Sequence, residues 1–318
     1  MTYIGTECRK HVPVMASEVL EYLIPKEGVC RVIDCTLGYG GHSSLILQKN
    51  KEVELLGIDR DNNAIKYAED ILKFASDRVK LVKGEFSEIT EIMESVGWDK
   101  ADAVLLDIGV SSPQIDEADR GFSHRFNGPL DMRMDRKQNK TAARILNYAS
   151  TEELAHIFRD YGEVKRPWKL AEAIVERRKL KFWFGTKELA ELCENVLPRP
   201  RKGGLPVPTL CFQALRIAVN DELGELEDSL EAAIDLLSPG GKVAVISYHS
   251  LEDRIVKNIF KREATQCLCP PGLPICQCGH VPILKILTKK PLTADSAETQ
   301  VNRRAASAKM RVAEKLIG

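Results

Sequence analysis

A regular alternation of short β-branched runs with helical spans, within the first 107 residues, constrains this chain's fold more than any other feature. Arg31-Val32-Ile33-Asp34 reads as a strand, a glycine-rich turn follows, and Ser43 to Lys49 opens a helix. Val53 to Ile58 is the next strand and ends at Asp59. Asn62 to Ala75 then carries Ile65, Ala68, Ile71 and Leu72 on one helical face. Val79 to Val82 and Ala101 to Leu106 make a third and a fourth strand, the latter ending at Asp107. Strand and helix in strict turn predict a parallel, doubly wound α/β sheet.

After the fourth strand the alternation stops. No convincing strand lies between Ser111 and about Leu205. Helical spacing appears instead over Thr151–Tyr161, Lys169–Lys181 and Thr186–Val196, where Thr186 is a residue able to cap. Pro198, Pro200, Gly203, Gly204, Pro206 and Pro208 mark the way out. Thr209 to Leu237 is helical again, with a break expected near Gly224. Gly240-Gly241 turns into a fifth strand, Lys242–Ser247, and Pro282–Leu287 with Ala308–Val312 suits a closing β-pair. A chain of 318 residues has room for this. The division expected is a Rossmann-like domain from 1–114 and 209–318, with a helical domain inserted over 115–208.

Lys+Arg and Asp+Glu balance at 46 each, so net charge excludes no partner. Their distribution is uneven. Lys165 to Lys181 holds seven basic and two acidic residues, and Lys285 to Lys315 holds eight and three. Asp221 to Asp235 has seven acids and no Lys or Arg. Two readings stay open: basic surfaces facing a polyanion, or solvated helix faces. No apolar run approaches the roughly 18 residues of a membrane helix, and Met1 to Ser17 lacks the apolar block of a secretory signal. A cytoplasmic protein is expected, with no membrane partner and its nine cysteines reduced.

The turn after the first strand is Asp34-x-x-x-Gly38-x-Gly40-Gly41, followed by His42 and Ser43. A dinucleotide fingerprint would need a third glycine where this chain has none, and no P-loop lysine follows. S-adenosylmethionine fits better, having no phosphate but an adenosine, a sulfonium and an amino-acid end. Glycines let backbone approach such a ligand, and Asp34 is an acid able to face its positive part. Asp59 stands where acids of doubly wound folds take ribose hydroxyls; otherwise it caps the next helix.

Longer blocks carry a family resemblance. Asp34-Cys35-Thr36-Leu37-Gly38-Tyr39-Gly40-Gly41-His42, His11-Val12-Pro13-Val14-Met15, and Asp107-Ile108-Gly109-Val110-Ser111-Ser112-Pro113-Gln114 resemble the bacterial 16S rRNA (cytosine-N4) methyltransferases, the RsmH/MraW family. So do Gly128-Pro129-Leu130-Asp131-Met132-Arg133-Met134-Asp135, Phe212-Gln213-Ala214-Leu215-Arg216-Ile217, Asn220-Asp221-Glu222-Leu223 and Ser247-Tyr248-His249-Ser250-Leu251-Glu252-Asp253-Arg254. The resemblance implies a class I S-adenosylmethionine-dependent methyltransferase with an inserted helical domain. Its implied acceptor is the exocyclic amine of one cytidine in the decoding region (P site) of 16S rRNA, within the small ribosomal subunit. It implies cofactor contacts at Gly40, Gly41, His42, Asp59, Phe86, Asp107 and Gln114. Many amine methyltransferases carry Asp/Asn-Pro-Pro-aromatic after the fourth strand, and here that device is absent.

Asp107, at the carboxyl end of the fourth strand, is the catalytic candidate. His249 is a second, either orienting the base or standing beside a helix start capped by Ser250. Trp168, Phe182, Trp183 and Phe184 interleave with basic residues, so the inserted domain is the expected rRNA face, unless those aromatics form its core. Cys267-x-Cys269 and Cys276-x-Cys278 have the donors of a zinc knuckle, but C-x-C is tighter than the usual C-x-x-C, so no metal is expected. A homodimer is possible. The rival functions are methylation of another RNA base or a small molecule, and a cofactor-binding ribosome-assembly factor.

Overall fold

A computed structural model describes residues 13–25, 28–109, 117–200, 204–270 and 275–317. It forms two compact units, Met1–Gly109 with Leu223–Gly318, and Val110–Glu222. In chain order the first unit begins with α1 (Ala16–Leu23), β1 (Cys30–Asp34), α2 (Gly41–Lys49), β2 (Val53–Asp59), α3 (Asn62–Leu72), β3 (Val79–Lys83), α4 (Ile89–Ser95) and β4 (Ala101–Asp107). The second contains α5 (Ala142–Tyr148), α6 (Thr151–Asp160), α7 (Pro167–Arg178), α8 (Thr186–Val196) and α9 (Val207–Asn220). The chain then returns through α10 (Glu222–Leu236), β5 (Leu237–Ser247), α11 (Ser250–Glu263), β6 (Leu284–Ile286), β7 (Leu292–Thr293), α12 (Ser296–Val301) and β8 (Lys309–Lys315).

The sheet of the first unit runs β3-β2-β1-β4-β5-β8-β6, with β7 also on β8. β1 to β5 are parallel, and β8 closes antiparallel on β5. This is the doubly wound, Rossmann-like α/β class that the alternation predicts. Successive side chains point to opposite faces, and the central residues of β1, β4 and β5 (32–33, 103–106 and 243–246) are apolar on both. Val32, Leu105 and Ile246 enter one buried layer; Ile33, Val104 and Val245 enter the other. The order reverses between β1 and β4, opening a crevice at the strands' carboxyl ends where such folds take ligands. Among the described residues, no helix is long and apolar enough to cross a membrane.

One helix start differs from expectation. Thr186 does not cap α8: the N-cap is Gly185, and the Thr186 hydroxyl is buried, donating to Phe126 O (2.7 Å) and accepting from Gly128 N (3.0 Å). The long helical stretch breaks near Gly224 as expected, at Asp221 in left-handed backbone at φ 51°. α9 was expected to return to the sheet but packs in the helical unit, placing Cys211, Phe212, Leu215 and Ala218 in its core. Burying Phe212 and Leu215 alone is worth about 3–6 kcal/mol, enough to decide where the helix goes. β5 starts at Leu237, ahead of the expected Lys242, across a register shift opposite Ala101 and Ala103.

One ion pair ties α11 to β8. Arg311 donates from Nε (2.6 Å) and Nη2 (3.2 Å) to the two Asp253 carboxylate oxygens, with Lys309 Nζ 3.6 Å away. Burial pushes the Asp253 carboxyl upward, but the Arg311 and Lys309 charges outweigh it and hold it below the usual range. A depressed carboxyl stabilises the fold above its unfolded pKa, about 3.9, and that contribution is lost as pH falls through the folded value. Asp253→Asn should therefore cost about 1–2 kcal/mol at pH 7, after discounting for solvent screening. Urea unfolding across pH 7 to 3 should show the wild-type advantage shrinking in acid; a constant gap contradicts the assignment.

Candidate active site

The turn after β1 is held from three directions. Cys35 N donates to Leu105 O of β4 (2.9 Å), Leu37 N to Ile58 O of β2 (3.0 Å), and Gly40 N to Leu37 O (2.8 Å). Leu37 is buried against Gly57, where an added Cβ would lie 2.8 Å from its Cδ1. Gly38 and Gly40 have φ of 52° and 76°, the left-handed backbone that glycine adopts without a Cβ penalty. Gly40 is the N-cap of α2, so Gly41 and His42 form that helix's first turn.

Asp59 ends β2 beside this turn. Its Oδ2 accepts from Gly38 N and its Oδ1 from Asp61 N, both at 2.8 Å. Burial raises its carboxyl, against the lowering effect of those two N–H groups. The next helix is capped by Asp61, whose carboxylate accepts from Asn63 N (2.9 Å). Asp34 behaves differently from expectation. It is 1% exposed, and its carboxylate takes Ser43 Oγ (2.7 Å) and Thr36 N (3.2 Å). Burial raises it above the usual range, so it stitches the turn together from inside and does not face a ligand.

Asp107 is the meeting point of the turn, β4 and the end of β5. Its backbone N donates to Thr36 Oγ1 (2.7 Å), and its Oδ1 accepts from Tyr248 Oη (2.8 Å). His42 Nε2 lies 3.6 Å from Asp107 Oδ2, too far for a hydrogen bond, and is a buried nitrogen with no hydrogen-bond partner among the described residues. Burial, then the adjacent Asp107 charge, pushes the Tyr248 hydroxyl far above the phenol range, keeping it a donor. A Cβ on Gly109 would lie 2.8 Å from Tyr248 Cε2, so glycine there admits the ring.

Tyr248 had no assigned role in the sequence. The signal available was its place after a strand beside Asp107's, but only the register Asp107↔Ile246 brings the two together. His249 follows as the N-cap of α11, its Nδ1 accepting from Glu252 N at 3.4 Å. Glu252, 1% exposed, answers by accepting from Tyr248 N (2.7 Å) and His249 N (3.1 Å). The cap is thus His249 and not Ser250, the first residue of the helix. His249 Nε2 sits 3.0 Å from Glu252 Oε1 without hydrogen-bond geometry. Phe86 opens a short turn after β3 and packs, half-buried, against the layer containing Ile58. Gln114 lies outside the described residues.

A glycine cradle, an acid at the end of β2, and a second acid facing a partnerless imidazole suit a cationic nucleoside. The turn carries no lysine or arginine for a phosphate. S-adenosylmethionine therefore fits these residues: Gly38, Gly40, Gly41 and Asp59 would hold the nucleoside side, with His42 and Asp107 at the reacting end.

Comparison with known proteins agrees. The MraW methylase family matches residues 8–316. A Heliobacterium modesticaldum protein named "Ribosomal RNA small subunit methyltransferase H" is 49% identical over 311 residues, covering 96% of this chain and 98% of that protein. Proteins of the same name from Symbiobacterium thermophilum and Carboxydothermus hydrogenoformans are 45% and 46% identical, each over 96% of this chain and 96% and 98% of their own.

Proposed function

The chain belongs to the MraW methylase family, and on that premise we propose that it methylates N4 of a cytidine in the decoding region of 16S rRNA, using S-adenosylmethionine. The observation carrying this reading is Asp107, held at the carboxyl end of β4 by Tyr248 and faced by His42. When bound, S-adenosylmethionine supplies a methyl group made electrophilic by its sulfonium.

Cytosine N4 is a poor nucleophile because its lone pair is delocalised into the ring. The protein must hold it in line and accept hydrogen bonds from the amine as positive charge develops. Asp107 Oδ2 is the acceptor: Oδ1 is committed to Tyr248, which fixes the carboxylate's rotation. The methylated amine sheds its proton readily, so no strong base is required at Oδ2. His249 contributes through Glu252, which fixes the backbone of Tyr248 and His249 together.

The target base must leave its stack to reach such a site. Within the helical unit, Tyr148 and Phe184 are 71% exposed and Phe182 is 61% exposed, around a groove that includes Arg144 and Asn139. Trp183 alone of the interleaved aromatics is core, at 2% exposure, clasped through its backbone by Asn147 (2.8 and 3.0 Å). Exposed rings on a rigid base beside basic residues are what splayed RNA bases stack on. Tyr148→Ala with Phe184→Ala should weaken binding to small subunits roughly ten- to hundredfold, at about 1–3 kcal/mol per stacked base, without changing cofactor affinity. Unchanged subunit binding removes this face from the reading.

The function itself is tested by nucleoside mass spectrometry of small-subunit rRNA from cells with and without the protein. Loss of one N4-methylated cytidine is expected. Intact methylation in its absence sinks the assignment, and subunit binding without any methylated cytidine would favour a docking role.

A further inference from the structure

The four late cysteines lie away from the site, in the segment joining α11 to β6. Its base is closed by Ile283 N donating to Glu263 O and Leu316 N to Ile283 O, both at 2.9 Å. Between these anchors no helix or strand is present among the described residues. Leu268 and Ile275 are 47% and 74% exposed, so the described residues of the segment build no apolar core of their own. The described residues of this excursion need another source of cohesion.

We propose that Cys267, Cys269, Cys276 and Cys278 form a tetrathiolate site for a zinc ion. Their four sulfurs lie within 4.8 Å of one another. Cys267–Cys276 and Cys276–Cys278 are 3.5 Å apart, Cys267–Cys278 3.8 Å, and Cys269–Cys276 4.0 Å. A tetrahedron with metal–sulfur bonds of about 2.3 Å has sulfur–sulfur edges of about 3.8 Å. The observed separations bracket that edge, and all are far longer than the bond of a disulfide, about 2.05 Å.

The backbone is arranged for anionic sulfur as well. Leu268, the middle residue of the first C-x-C, donates its N–H to Cys278 Sγ; Gln277, the middle of the second, donates to Cys269 Sγ, both at 3.3 Å. Each pair thus supports the last cysteine of the other, a reciprocal pattern that stabilises thiolates. This geometry removes the objection from spacing. C-x-C is tight, yet Cys276 and Cys278 already span one tetrahedral edge. Four soft thiolates in tetrahedral array select zinc or iron among common metals. Zinc is the assignment for a site whose place is structural. α11 has 14 residues, so the segment bearing the cluster leaves from the end of a helix about 21 Å long that begins beside His249.

Full-length protein purified without chelator should contain one zinc per chain by elemental analysis. Cys276→Ser with Cys278→Ser should bring zinc to background while S-adenosylmethionine affinity, read by calorimetry, stays at the wild-type level. Wild-type protein gives a readout independent of how that variant folds. A thiol reagent should release zinc to a chromogenic chelator as the exposed cysteines react, and cobalt added to metal-free protein should show the bands of a tetrahedral thiolate complex. Absence of zinc, iron in its place, a disulfide among the four, or zinc retained by the double variant would each overturn the proposal.

Discussion

Asp107→Asn should lower methyl transfer by about two to three orders of magnitude, the usual cost of losing one preorganised partner of transition-state charge, with little change in cofactor affinity. The amide keeps an oxygen for the Tyr248 hydroxyl, which holds it in the rotamer seen for Asp107 Oδ1. Its NH2 then takes the Oδ2 position, facing His42 Nε2 on one side and the incoming amine on the other. A donor replaces an acceptor where positive charge grows, so the loss falls on turnover. The fold should tolerate the change, because the β4 backbone keeps its bond to Thr36 and its pairing with β5. Tyr248→Phe is the companion: it leaves the carboxylate in place but frees its rotation, and about a tenfold loss is expected for one hydrogen bond of about 1.4 kcal/mol. Single-turnover methylation of small subunits, with calorimetric cofactor binding, separates the two effects. Full turnover by Asp107→Asn with normal cofactor affinity would falsify the catalytic role.

Much of this arrangement was legible from residue order, and what was not has physical reasons. The alternation through Asp107 named the strands because buried parallel strands are apolar on both faces, and β1 to β4 differ from the expected spans by a residue at one end or the other. Side-chain direction was less accessible. Asp34 looked like a ligand-facing acid, but Ser43, nine positions on, turns it inward. His249 and Ser250 are adjacent and both polar, and only backbone geometry shows that the imidazole caps α11. Thr186 has a capping residue's chemistry but spends its hydroxyl on the 126–128 segment, some sixty positions away. Tyr248 depended on a register between strands that lie far apart in sequence. Local chemistry was readable, whereas partners chosen by tertiary contact were not.

Asp59 is where the second large effect is expected: Asp59→Ala should weaken S-adenosylmethionine binding about a hundredfold, with turnover at saturating cofactor changed much less. Two losses combine. One is the acid at the end of β2 that would take the ribose hydroxyls. The other is the anchor of the turn, since Oδ2 accepts from Gly38 N and Oδ1 from Asp61 N. Removing both leaves two part-buried N–H groups without their acceptor, at about 1–3 kcal/mol each, and frees Gly38 from its left-handed geometry. Asp59→Asn should be nearly as damaging, because an amide offers an oxygen to only one of the two N–H groups and points its own donor at the other. Glycine chemistry then explains why the loss reaches Gly40: it is tied to Leu37 by one bond, and Leu37 to β2 by another. Calorimetric affinity and saturation kinetics read the two quantities separately. If Asp59→Ala lowers turnover at saturation as severely as affinity, the residue acts on the reacting groups and the cradle reading of β2 is wrong.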